Sequence, residues 1–285
     1  MSLHPICTDL DVELVRLEVP GGPLAVLRAE PRVRSRSTVL LVPGYTGSKE
    51  DFRLLVAPLV DAGHPVVLRD QRGQHQSPGP HELSAYTTAA LGADVLAVVD
   101  ALDEGPVHLL GHSFGGLVSR AAVLQRPEAF RSLVLMCSGP AGLTGPRVDV
   151  LPLMRPLAEQ GMPTVVAAVD SLNAADARWL ALDASTQCFL RDRMLASSAR
   201  GLLGMADSLV GEPDRVDELR ATGLPVLVLH GEDDDAWTPA LQRDMAERLG
   251  AAYAVIPDAA HSPAVEQPDA TAKALLAFFP EPAQP

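Results

Sequence analysis

The chain has 285 residues, 47% of them apolar and only 4% aromatic, enough for one large core built mainly from Leu, Val and Ala. The net charge of −13, from 23 basic against 36 acidic residues, argues against nucleic acid and anionic membrane surfaces as partners, because both repel it. Three widely spaced cysteines, Cys7, Cys137 and Cys188, argue against a disulfide framework and for a reducing, cytoplasmic compartment. Residues 1–6 lack a basic region followed by an apolar run, so no secretory leader is expected. Every apolar run is broken by charge, Gly or Pro, so no membrane span is expected either.

In chain order, the first two predicted strands cover 12–19 and 24–29, separated by the hairpin signal Pro20-Gly21-Gly22-Pro23. The basic cluster Arg32, Arg34 and Arg36 reads as a solvated loop before a strand at 38–42. Ser48-Lys49-Glu50-Asp51 has the form of a capping box and opens a helix over 49–62 that stops at Gly63. A strand at 65–69 follows. A long helix over 82–102 carries Leu91, Val95, Val98, Val99 and Leu102 at helical spacing. A short apolar strand at 107–110 then leads into a helix that runs to Gln125, and the next strand covers 132–137. Residues 139–220 hold no convincing strand, only helical pieces separated by Gly and Pro. After them come a strand at 225–230, a helix at 239–249, a strand at 253–256, a helix at 268–279 and a mobile tail at 281–285. The alternation predicts an α/β, doubly wound, mostly parallel sheet. Residues 1–138 and 221–285 form its core, and 139–220 are an insertion.

Gly111-His112-Ser113-Phe114-Gly115-Gly116-Leu117 is a G-x-S-x-G between a strand and a helix, the context of a nucleophile elbow. The turn strains the serine backbone, and side chains at Gly111 and Gly115 would collide with the neighbouring strand and helix. Its sharpness lifts the Ser113 hydroxyl out of the sheet and aims a helix N-terminus at the same point. A nucleophilic serine needs a base, and the base an orienting acid. Glu232-Asp233-Asp234-Asp235 follows a late strand, and His261 lies in the loop after the next one. His4, His64, His75 and His81 read as loop residues, His108 lies within a strand, and His112 and His230 flank turns. No histidine pair has metal-ligand spacing.

These motifs identify the chain as resembling the α/β-hydrolase superfamily over almost its whole length. Leu41-Val42-Pro43-Gly44-Tyr45-Thr46-Gly47-Ser48 resembles the family's H-G-x-x-G-S segment, and Asp70-Gln71-Arg72-Gly73-Gln74-His75-Gln76-Ser77 its D-x-R-G-x-G-x-S turn. The resemblance implies an eight-stranded sheet with 139–220 as a helical cap. Its G-x-x-D pattern selects Asp234, with Asp233 and Asp235 as the competing choices. It implies Ser113, Asp234 and His261 as a catalytic triad and the Tyr45 and Phe114 amides as an oxyanion hole. Trp237 and Met154 are candidate substrate contacts, and no cofactor or metal is implied. The implied activity is hydrolysis of small to medium apolar carboxylic esters through an acyl-enzyme. Same-fold C–C hydrolase, lyase, perhydrolase or acyltransferase chemistry is the alternative, followed by a non-catalytic ligand-binding receptor. Two departures stand out: Pro43 replaces the segment's histidine, so any hydrogen bond that histidine makes is missing, and His75 replaces a turn glycine that often has positive φ.

Overall fold

The computed structural model describes residues 12–279; the readings placed on His4, Cys7, the opening 1–6 and the tail 281–285 lie outside the described residues. The strands are β1 (Val12–Leu17), β2 (Leu24–Ala29), β3 (Val39–Val42), β4 (Val66–Arg69), β5 (Val107–His112), β6 (Phe130–Met136), β7 (Val226–Gly231) and β8 (Ala252–Ile256). They form one sheet in the order β1-β2-β4-β3-β5-β6-β7-β8. β2 runs antiparallel to both its neighbours, and every pairing from β4 to β8 is parallel.

The helices are α1 (Arg53–Asp61), α2 (Thr88–Leu102), α3 (Phe114–Gln125), α4 (Pro146–Asp149), α5 (Leu151–Glu159), α6 (Met162–Asn173), α7 (Ala177–Leu180), α8 (Ala184–Ala196), α9 (Ala199–Gly211), α10 (Val216–Ala221), α11 (Pro239–Leu249), α12 (Pro263–Glu266) and α13 (Pro268–Phe278). The sheet is covered on both faces, so its central strands read as unbroken apolar runs rather than as an alternation. The pleat then sends successive residues to opposite sides. Leu40 and Val42 of β3 pack with Val95 of α2, Val118 of α3 and Met245 of α11. Val39 and Leu41 pack on the other face with Leu55 of α1 and Leu275 of α13.

The helix expected over 82–102 is broken. A 3₁₀ turn spans Leu83–Tyr86, Thr87 is extended, and α2 starts at Thr88. Two bonds explain the break: the Thr87 hydroxyl caps the Ala90 amide at 3.2 Å, and the buried Tyr86 hydroxyl donates to the Pro80 carbonyl at 2.8 Å. The helix expected from 49 likewise begins with a 3₁₀ turn, Lys49–Phe52, before α1.

The 139–220 segment holds helices and no strand. α5, α6 and α9 share a small core of Ala158, Met162, Val165, Leu202 and Leu203, against which Tyr45 and Leu83 pack from the sheet side. α10 buries Val216 and Leu219 in the main core, where Met205 and Leu209 of α9 also lie. Among the described residues no helix is long and apolar enough to cross a membrane.

At the base of the sheet, His108 is buried, stacks on Phe279 with ring centroids 4.5 Å apart and shares a 2.8 Å hydrogen bond with the Ser132 hydroxyl. Burial first, and then the nearby His64, Arg131 and Arg36, pushes its pKa down to about 3. The unfolded chain binds a proton at His108 near pH 6.5, where the native chain does not. The resulting stability is present above that pH and is lost as pH falls toward the native value. Unfolding free energy, measured by urea titration at successive pH values, should therefore decline below pH 6.5 by up to about 1.4 kcal/mol per pH unit from this residue. His108→Gln should flatten that slope, and an unchanged slope would remove His108 as its source.

Candidate active site

Ser113 joins β5 to α3 with φ 56° and ψ −122°, a conformation that costs a non-glycine residue on the order of 1–3 kcal/mol. The surroundings impose it. The Ser113 amide donates to the Met136 carbonyl of β6 at 2.8 Å, and the Gly116 amide donates back to the Ser113 carbonyl at 2.9 Å. The glycines permit it. A Cβ at Gly111 would lie 2.2 Å from the Gly115 carbonyl oxygen, and one at Gly115 would lie 2.4 Å from that of Val42. A Cβ at Gly116 would lie 2.4 Å from the Ser138 hydroxyl.

His261 Nε2 lies 3.0 Å from Ser113 Oγ, and His261 Nδ1 lies 2.9 Å from Asp234 Oδ1. The loop carrying His261 is held by Glu266, whose carboxylate accepts the Ala260 amide at 2.6 Å and the Ser262 amide at 3.3 Å. It is also held from beneath, where His112 Nε2 donates to the His261 carbonyl at 2.6 Å. A carbonyl only accepts, so this bond places the His112 proton on Nε2. Burial, and then the charge of His261, lowers the His112 pKa to about 4.

Among the three adjacent aspartates, Asp234 reaches His261; Asp233 and Asp235 are exposed, and Asp235 pairs with Arg147. Asp234 Oδ1 also accepts the Ala236 amide at 3.0 Å, and Oδ2 accepts Gln242 Nε2 of α11 at 2.7 Å. Burial alone would raise the Asp234 pKa. The hydrogen bond and charge of His261, with the Ala236 amide and Gln242, outweigh burial and hold it below the ordinary value.

Phe114 opens α3, so its amide is one of the first-turn donors that a helix does not bond internally. Gly44 lies against Ser113: a Cβ there would be 3.0 Å from Ser113 Cβ. Tyr45 follows Gly44 and packs between the main core and the small helical one. Burial first, and then the Asp207 charge, raises its phenol pKa. Thr46, Gln74, Met162, Met194, Leu202 and Met205 line a small pocket beside this segment. Met154 is half-buried against the same helical core. Trp237 is 2% exposed, packs on Gly139 and donates its indole N–H to the Ala141 carbonyl at 3.2 Å.

His75 has φ 44°, so the departure from glycine keeps the left-handed backbone. Two groups of metal-ligating atoms occur among the described residues: His112, Cys137 and His261, and Glu50, Asp70 and His75. The first group's imidazoles bond Asp234, Ser113 and the His261 carbonyl. In the second, Lys49 Nζ sits 2.9 Å from both Asp70 and Glu50.

Sequence reasoning did not single out His112, Gln242 or Gln74, whose Nε2 donates to the Gly44 carbonyl at 3.0 Å, for these contacts. A lone histidine or glutamine carries no spacing signature, and each partner lies 8 to 149 residues away.

The family model described as alpha/beta hydrolase fold matches residues 37–268. Over 98 residues the chain is 38% identical to a provisionally named carbamate hydrolase, RutD, of Variovorax paradoxus (strain S110); this alignment covers 34% of this chain and 36% of that one. It is 27% identical over 264 residues to a provisionally named 2-succinyl-6-hydroxy-2,4-cyclohexadiene-1-carboxylate synthase of Bacillus subtilis (strain 168), covering 88% of this chain and 93% of that one. Among solved structures, the enol-lactonase from Burkholderia xenovorans LB400 superposes with a TM-score of 0.78 at 24% identity, covering 93% of this chain and 99% of that one.

The close approach at the elbow yields a contrast between two glycines. Gly115→Ala must displace backbone at Val42 and Pro43 and should lower unfolding free energy by roughly 1–3 kcal/mol or more. Nothing lies within 4 Å of a Cβ at Gly211, so Gly211→Ala should stay within about 0.5 kcal/mol of the parent. Urea denaturation of both variants checks this, and equal stabilities would contradict the steric reading.

Proposed function

The chain belongs to the alpha/beta hydrolase fold family, whose model spans residues 37–268, and on that premise we propose that this enzyme is a serine hydrolase acting on small to medium apolar carboxylic esters. The observation that carries the proposal is the unbroken hydrogen-bond chain from Asp234 through His261 to Ser113, with contacts of 2.9 and 3.0 Å. A serine at this strained elbow is otherwise an unfavourable choice of residue.

In the proposed reaction, Ser113 Oγ attacks the ester carbonyl while His261 Nε2 takes its proton. Asp234 accepts from His261 Nδ1, which fixes the tautomer and stabilises the imidazolium. The Tyr45 and Phe114 amides receive the oxyanion. His261 then returns the proton to the departing alkoxide, giving the acyl-enzyme and an alcohol. Water attacks the acyl-enzyme as His261 takes its proton, and His261 then passes that proton to Ser113 Oγ as the acid departs, restoring free Ser113 and neutral His261.

The helices of 139–220 act in this proposal as the cap, and Met154 as part of its wall. The small helical core against Tyr45 supports this. The thioether and alkyl groups of Met162, Met194, Leu202 and Met205 support an apolar substrate group, because such side chains adapt to varied apolar shapes. A second reading, non-hydrolytic chemistry by the same three side chains, is favoured by the B. subtilis relative that is named a synthase and aligns over 88% of this chain.

Ser113→Ala should keep the fold, lose labelling by a fluorophosphonate and lose turnover on the order of 10³-fold or more. Asp234→Asn should cut kcat by roughly 10²–10⁴-fold, with Asp233→Asn and Asp235→Asn close to the parent. A larger loss at Asp235 would overturn the assignment of the acid.

Across p-nitrophenyl esters from acetate to decanoate, kcat/KM should rise by up to about fourfold per methylene, equivalent to roughly 0.8 kcal/mol, until the pocket is filled. A preference for a charged succinate half-ester would overturn the apolar-pocket reading. Ester turnover absent from all substrates, with Ser113 still labelled, would favour the second reading.

A further inference from the structure

We propose that Gln74 is the positioning residue of the oxyanion hole, holding the peptide unit that carries the Tyr45 N–H in its working orientation. The inference rests on the serine-hydrolase reading above. Gly44 C=O and Tyr45 N–H belong to one planar peptide unit, and the described residues contain no cis bond. In a trans unit the carbonyl and the amide point in opposite directions. Whatever fixes the Gly44 oxygen therefore fixes the direction of the Tyr45 donor.

Two groups donate to that oxygen. The Gly47 amide does so at 3.1 Å within the loop's own turn. Gln74 Nε2 does so at 3.0 Å from a different loop. The first bond sets the shape of the 44–47 turn but cannot orient the turn against Ser113. The second ties it to the body of the protein. The turn needs such a tie: Thr46 sits at φ 60°, and that strain favours other backbone arrangements when nothing external opposes them. Pro43 removes the histidine of the family segment and any bond it makes. Gln71 Nε2 donates to the Pro43 carbonyl at 2.8 Å, so two glutamines from one turn hold two successive carbonyls of the oxyanion segment.

Gln74 is well placed to act as a fixed donor. It is 1% exposed, its amide donates to the Gln71 carbonyl at 2.9 Å, and its carbonyl accepts from Ser77 at 2.9 Å. The left-handed backbone at His75 closes that turn. Gln74 Oε1 has no hydrogen-bond partner. A flipped carboxamide would set Oε1 against the Gly44 oxygen, so the bond to Gly44 determines the orientation. A hydrogen bond accepted by the carbonyl also polarises the same peptide and strengthens its N–H as a donor. The effect falls on the transition state, where the oxyanion forms, rather than on the bound ester.

The test uses two variants of the full chain alongside Ser113→Ala. Gln74→Leu keeps approximate volume and removes the donor. Its kcat should fall roughly 10- to 100-fold with KM within about threefold, because an oxyanion donor is misaligned rather than deleted. Gln74→Glu restores a donor only while its carboxyl is protonated, a state that burial favours. Its activity should fall with rising pH to the level of the leucine variant, a falling limb that the parent, with a carboxamide at this position, does not share. A packing role alone would not create that falling limb. Parental kcat in Gln74→Leu, or a parental pH profile in Gln74→Glu, would overturn the proposal while Ser113→Ala remained inactive. If the leucine variant does not fold, the pH profile of the glutamate variant decides. Turnover retained by Ser113→Ala would instead overturn the serine reading itself, and this inference with it.

Discussion

A side chain at position 115 would sit 2.4 Å from the Val42 carbonyl oxygen and 2.5 Å from that of Pro43. The first turn of α3 can therefore approach the end of β3 only across a glycine. This approach sets the depth at which Ser113 emerges above the sheet. It also brings the Gly44 segment beside the serine, so that two backbone segments from different strands meet next to Ser113. Gly111 and Gly116 serve the same approach from the strand and from Ser138. The packing of a helix end on a strand end thus precedes, physically, every contact of the site.

Buried charge holds the loops that surround that junction. Lys49 bonds Asp70 with both its backbone amide and its Nζ, at 2.8 and 2.9 Å. This fastens the start of the α1 region to the 70–77 turn and hence to Gln74. Arg72 pairs with Asp94 of α2 through two bonds. Arg120 of α3 reaches Glu212 at 3.2 Å, and Thr88 donates to the same carboxylate at 2.6 Å, so the exit from the helical segment is tied to the elbow helix. Such pairs add little net stability, because desolvation offsets most of their attraction. Breaking one is costly, which makes them effective at holding a single arrangement. The surplus of acidic groups that the composition records lies elsewhere, mostly on the exposed surface.

The stacking of functions at His261 follows from the same economy of backbone. Its side chain bonds Asp234 and Ser113, and its carbonyl accepts from His112, the residue before Ser113. The end of β5 therefore meets both the ring and the main chain of His261. His112 stays neutral because burial lowers its pKa to about 4. It can donate to the loop without placing a positive charge beside the His261 ring.

Much of this was legible in the chain itself, wherever a local pattern carries the physics. The strand–Gly-x-Ser-x-Gly–helix run defines a turn whose strain and close contacts are properties of seven consecutive residues. Apolar runs of strand length alternating with helical periodicity gave the doubly wound sheet, because each element's period is intrinsic to its backbone. Where two local signals compete, the pattern misled: the periodicity from 82 to 102 is continuous, but the Thr87 cap and the buried Tyr86 hydroxyl divide it. Which carboxylate of Asp233, Asp234 and Asp235 faces His261 was decided by the tight turn after β7, since each residue of such a turn points a different way. The contacts of His112, Gln242 and Gln74 exist only because the sheet order sets β3 between β4 and β5 and brings β7 and β8 alongside. Hydrogen bonds between such distant groups have no period or spacing in the sequence, so the tertiary structure alone determines them.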